Sequence, residues 1–129
     1  MAKVLLVEGE EIMLRALEFR LRKDGHDIYK CSDGREAINM LNKQRVDIVI
    51  TDIMMPFVSG LEIVNYIKKN INTSLPVIVI SSVGLEASIF EALELGADDF
   101  MIKPFNPNEL SIRVKKLLNI KTGNVTFSV

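Results

Sequence analysis

The stretch VLLVEGEE, Val4 to Glu11, runs from an apolar segment straight into three acids that enclose a single glycine. Successive residues of a strand point to opposite faces, so an unbroken apolar run of this kind has no solvent side. It reads as a strand covered on both faces, the mark of a parallel sheet. Such a strand ends by passing its chain to a loop at the sheet edge, and here that loop is crowded with carboxylates.

Outward from this strand the same grammar repeats. Ile48–Ile50, Val77–Ile80 and Phe100–Ile102 are short, apolar and largely β-branched, while His26–Cys31 is more polar and suits an edge strand. Between them lie segments with apolar residues at helical spacing. Glu10–Lys23 carries Leu14, Leu17 and Leu21; Arg35–Lys43 carries Ala37, Ile38 and Leu41; Leu61–Lys69 carries Ile63, Val64 and Ile67. Glu86–Leu95 and Pro107–Leu118 complete the set. Asn106 ahead of Pro107 is a helix-start signal, and Gly25 and Gly96 stand where helices stop. Five strand–helix pairs in strict alternation predict an α/β, doubly wound, five-stranded parallel sheet with helices on both faces.

The 129 residues suit one domain, with 48% apolar and 26% charged residues and a formal net charge of −1. That charge provides no field for direct nucleic-acid binding or for an anionic membrane. No apolar run approaches a membrane span, and the start of the chain leads into a strand without a signal sequence. The lone Cys31 cannot form an internal disulfide, which fits a cytoplasmic setting; it is expected to pack as a small apolar residue. His26 has no second His or nearby Cys and reads as structural or solvent-facing.

Ligands of an open parallel sheet bind outside the carboxyl ends of its strands. There the first strand delivers Glu8, the third Asp52, the fourth Ser81 and the fifth Lys103. Any one of these is an ordinary cap, turn or surface residue on its own. Their convergence by topology is a different matter. Two carboxylates, a hydroxyl and an ammonium suit a phosphoryl group: Asp52 as nucleophile, a hard cation such as Mg²⁺ between acids and phosphoryl oxygens, and Ser81 and Lys103 as donors to the remaining oxygens.

The segments VLLVE, DIVITDIMMP with Gly60 after it, PVIVISS and GADDFMIKPF, in this order and spacing, closely resemble the receiver domain of two-component response regulators. The resemblance covers Lys3 to about Leu118. It implies a flavodoxin-like three-layer sandwich with five helices and strand order 2-1-3-4-5, taken here as residues 1–120, with 121–129 as a tail or the start of a linker. It also implies that Asp52 accepts a phosphoryl group from a histidine kinase with Mg²⁺ as cofactor. On the matching positions, Glu8, Asp52 and the Met54 backbone carbonyl would hold the metal, with Glu10 as an additional ligand. Ser81 and Lys103 would meet the phosphoryl group, Ser81 and Phe100 would form the switch, and the Lys103–Pro104 bond would be cis.

Gly9 stands where the family has its second acid, usually a direct Mg²⁺ ligand. Affinity for a hard cation follows the number of charged oxygens, so the resemblance implies a weakened metal site. ELGADDF and KPFNPNEL with RVKKLL further resemble receivers joined to C-terminal winged-helix DNA-binding domains. Those form homodimers through helix 4, strand 5 and helix 5, which here would use Asp98, Asp99, Glu109, Arg113 and Lys115. Ile89 departs from that pattern, where relatives place a basic partner for Glu109. The leading expectation is thus a phosphorelay receiver. The alternative is an atypical receiver acting as a phosphorylation-independent protein-interaction module. An aspartate-based phosphatase is disfavoured because Ile53 and Met54 offer no acid for a leaving group. Flavin binding is disfavoured because Glu8, Glu10 and Glu11 would repel a cofactor phosphate.

Overall fold

A computed structural model of the chain describes residues 2–82 and 86–122, with side chains to residue 119. The strands are β1 (Lys3–Val7), β2 (Asp27–Cys31), β3 (Ile48–Asp52), β4 (Val77–Ser82) and β5 (Asp99–Lys103). The helices are α1 (Glu11–Lys23), α2 (Gly34–Lys43), α3 (Gly60–Tyr66), α4 (Glu86–Leu95) and α5 (Pro107–Thr122). All neighbouring strands pair in parallel, in the order β2-β1-β3-β4-β5, as expected.

The unbroken apolar runs are explained by the two layers they feed. Leu5 and Val7 of β1 face one core with Ala37 and Leu41 of α2, Ile63 and Val64 of α3, and Ile89 and Ala92 of α4. Val4 and Leu6 face the other, with Leu17 and Leu21 of α1 and Leu110 and Val114 of α5. Cys31 lies in the first core, 2% exposed, where burial pushes its thiol up to about 12; a thiol this resistant to ionisation is a packing residue.

Helix ends follow local chemistry. The Asp33 carboxylate accepts the Glu36 N–H at the start of α2, and Ser59 and Glu62 form a reciprocal capping box at the start of α3. The Asn106 side chain accepts the Asn108 N–H, as its position before Pro107 predicted. Two expectations need correction. The third helix is not regular through Lys69: after Tyr66 it widens into a π-helical segment, Ile67–Ile71, closed by Asn72 N–H on the Ile67 carbonyl. Lys68 in this segment reaches back to the Thr73 and Leu75 carbonyls and to Asp98, contacts no local propensity reports. The last helix also runs past Leu118 to Thr122, across the expected boundary at 120. The rest of the expected tail, 123–129, lies outside the described residues.

Candidate functional site

The register of the sheet places the site. Val7 of β1 stands opposite Thr51 of β3, so Glu8 and Asp52, each one residue further on, leave the sheet side by side. Ser82 of β4 stands opposite Lys103 of β5. β5 lies two strand spacings from β3, roughly 10 Å, a span that a long side chain such as lysine can cross. Lys103 does cross it: its Nζ lies 2.6 Å from Asp52 Oδ2 and 3.1 Å from Glu8 Oε1. The Lys103–Pro104 bond is cis, as the resemblance implies.

Asp52 is held from the other side as well, because Oδ1 accepts the Met54 N–H at 3.0 Å. Gly60 packs so closely on the Asp52 carbonyl and the Ile53 backbone that an added Cβ would collide with both. Glu8 is 1% exposed and accepts the Glu10 N–H on Oε2 at 2.9 Å. Its Oε1 is buried with the Lys103 ammonium in ion-pair range but no donor aligned for a hydrogen bond. Burial raises the Glu8 carboxyl above its ordinary value, and the neighbouring Asp52 charge adds to the effect. Burial alone would lower the Lys103 ammonium; the hydrogen bonds to Asp52 and Glu8 outweigh it and raise it.

Ser81 is fully buried at the same edge, with its hydroxyl donating to the Ser82 carbonyl at 3.1 Å. The structure therefore brings Ser81 next to the cluster without joining it to Asp52. Phe100 is half-buried between the α4 and α5 sides of β5 and lines a cleft of about 240 Å³ with Ile89, Phe90, Leu93 and Ile102.

The remaining expected residues are paired within the chain. Arg113 bonds Asp99 and Glu109, each at 2.8 Å, and the Phe100 carbonyl. Asp98 accepts the Val77 N–H and pairs with Lys68, and Lys115 lies 3.7 Å from Asp24. Ile89 is 5% exposed and packs in the first core. Both ring nitrogens of His26 are buried, with no hydrogen-bond partner among the described residues.

Sequence reasoning missed the contacts between the loop after β3 and the start of α2. Phe57, two residues before Ser59, has a positive φ of 69° and lies under the Arg35 guanidinium at 3.7 Å. Gly34 at the start of α2 presses on Val58 with no room for a side chain. The Gly at 34 after an Asp cap was the only visible signal.

The oxygens of Glu8 and Asp52 suit a hard divalent cation in kind, and the unaligned Glu8 Oε1 is a buried acceptor that such an ion would satisfy. They are few, because Gly9 supplies none. Among the described residues no three His, Cys, Asp or Glu side chains form a metal-holding group as they stand. The acids converge on the Lys103 ammonium, with Glu10 Oε1 3.7 Å away as the third.

A family model described as the response regulator receiver domain matches residues 4–115. The chain is 39% identical over 126 residues to the "Probable transcriptional regulator ycf27" of Guillardia theta, covering 98% of this chain and 48% of that protein. It thus spans about half the length of that curated relative. Among solved structures, a response regulator receiver domain protein from Clostridium thermocellum superposes with a TM-score of 0.89 at 30% identity, covering 97% of this chain and 100% of that one. The receiver domain of the Francisella response regulator 1452 gives 0.85 at 30%, covering 93% and 98%.

Proposed function

We propose that this chain, which belongs to the response regulator receiver family of two-component signalling, accepts a phosphoryl group on Asp52 from the phosphohistidine of a histidine kinase. The observation that carries the reading is the buried Asp52 carboxylate held between the Met54 N–H and the Lys103 ammonium at the carboxyl edge of the sheet. A carboxylate so fixed presents an oxygen for attack on phosphorus. One P–O bond forms as the P–N bond to the donor imidazole breaks, and the imidazole leaves with its electron pair. Lys103 stays beside the product and offsets charge on the phosphoryl oxygens, as a long cationic arm can from two strands away. Mg²⁺, held by Glu8, Asp52 and the Met54 carbonyl, would supply the positive charge that lets two anions approach.

Output follows from the neighbours of the site. Ser81 exchanges its bond to the Ser82 carbonyl for the phosphoryl group, and Phe100 moves with it, so that the α4–β5–α5 face changes shape. A homodimer through that face would use Asp98, Asp99, Glu109, Arg113 and Lys115 by trading their internal pairs for partners across a two-fold axis. The transcriptional-regulator name of the curated relative supports an effector domain that binds DNA, outside these residues. Among the described residues no helix is long and apolar enough to cross a membrane.

The shortage of acids at Gly9 favours a second reading, an interaction module that works without phosphate. Labelling with acetyl phosphate, with and without Mg²⁺, separates the two. The first reading expects one phosphoryl group on the wild type and none on Asp52→Asn. Labelling of that variant, or none of the wild type at saturating Mg²⁺, overturns it.

A further inference from the structure

The glycine that removes an acid from the first loop is not demanded by the backbone. Positive φ among the described glycines occurs at Gly25 and Gly96, and a Cβ at Gly9 would meet nothing nearer than the Ser32 carbonyl at 3.7 Å. An acidic side chain would therefore fit at this position. Glu10 is the N-cap of α1 and makes no capping hydrogen bond with its side chain, a task that falls to the shorter Ser, Thr, Asp and Asn. Its carboxylate stands at the site, with Oε1 3.7 Å from the Lys103 ammonium, while its N–H holds Glu8 Oε2 at 2.9 Å. Glu8 Oε1, in a side chain 1% exposed, lies in the same cluster with no aligned donor. The Lys103 ammonium thus lies in ion-pair range of both Glu8 Oε1 and Glu10 Oε1, at 3.1 Å and 3.7 Å, beside a Gly9 that contributes no side chain.

We propose that Glu10 supplies the divalent-cation site with the carboxylate that Gly9 lacks, so that the first loop carries its second metal-facing acid one residue later. This rests on the reading of the cluster as a receiver site, and its test does not depend on phosphorylation. Glu10 is exposed and its backbone bond survives substitution, so Glu10→Gln should fold, which urea denaturation verifies.

Titrating Mg²⁺ into the unphosphorylated chain by calorimetry should show Glu10→Gln weaker than wild type by on the order of tenfold. Glu11→Gln is the charge control: Glu11 is exposed and pairs with Arg15 at 2.8 Å, so the affinity of this variant should match wild type. In a Gly9→Asp background, Glu10→Gln should cost far less, because the vacancy is already filled. Equal affinities of wild type and Glu10→Gln would overturn the proposal. So would an equal loss in Glu11→Gln, the same loss in both Gly9 backgrounds, or a wild type that takes up no Mg²⁺. A Glu10-dependent Mg²⁺ site in a protein whose Asp52 cannot be labelled would leave this inference standing and remove the phosphoacceptor reading alone.

Discussion

Replacing Lys103 with methionine keeps the length of the arm and removes its charge. In the folded chain Glu8 and Asp52 are 1% and 7% exposed at the side chain and Lys103 is 11% exposed. Lys103→Met would leave two buried carboxylates side by side, with the backbone N–H groups of Met54 and Glu10 still donating to them. Removing one partner of a buried ion pair costs about 3–5 kcal/mol, mostly the exposure of the survivors to an apolar surrounding. Against a typical total of about 5–15 kcal/mol, the loss is severe. The sign with pH is fixed by Glu8. Its folded carboxyl is already raised above 4.5, so the stability it contributes is full below 4.5 and is lost as pH rises through the folded value. Without the ammonium that value climbs further, and proton uptake relieves the clash as pH falls. Urea denaturation at pH 8 and pH 5 should therefore show the larger deficit at pH 8, with Lys103→Met/Glu8→Gln recovering part of it. A deficit below about 0.5 kcal/mol at pH 8, the range of an ordinary surface substitution, would refute the reasoning. So would a deficit that does not change with pH.

Gly60→Ala should destabilise by about 1–3 kcal/mol and slow labelling of Asp52, because its Cβ has to displace the Asp52–Ile53 backbone; unchanged denaturation and labelling would show that the loop yields freely. His26 should titrate below 6.5 by NMR, since burial of the ring outweighs the pull of Asp24, with the N-terminus and Lys115 acting in the same direction as burial. Stability is then lost as pH falls from 6.5 toward the lowered value, and His26→Leu should flatten that part of the profile. An imidazole that titrates at or above 6.5 would sink this assignment.

The sheet and the acidic cluster were legible because both depend on where strands end. Periodicity separates Val4 and Leu6 from Leu5 and Val7, and chain alternation sends Glu8, Asp52 and Lys103 to one edge before any coordinates are known. What stayed hidden depends on contacts between segments distant in sequence. The π-helical segment at Ile67 is followed by the anchoring of Lys68 to Leu75 and Asp98, and Phe57 takes its left-handed backbone beneath Arg35. Charge patterns at Asp99, Glu109 and Arg113 show that pairs will form. They do not show whether the pairs close within one chain or between two; within this chain Arg113 meets both Asp99 and Glu109.

The site is unevenly braced, and that asymmetry bears on how it can respond to a new charge. Gly60 is packed against the Asp52 carbonyl, and further along the same loop Val58 is packed against Gly34, contacts in which backbone meets backbone or a branched side chain. The Asp52 backbone cannot shift toward Gly60 without disturbing the start of α3. On the other sides the contacts are side chains. Lys103 spans two strands, Ser81 holds only its neighbour's carbonyl, Phe100 lies half-buried between clefts, and Glu10 stands exposed beside a residue with no side chain. Closely packed backbone resists small displacements, whereas side chains with alternative partners exchange them at low cost. A phosphoryl group added to Asp52 would therefore be accommodated by movement of Lys103, Ser81 and the first loop, and the displaced Ser81–Phe100 side leads directly to the apolar cleft of Phe90 and Leu93. On the proposed reading, the rigid wall would fix where the charge is placed and the yielding wall which surface registers it.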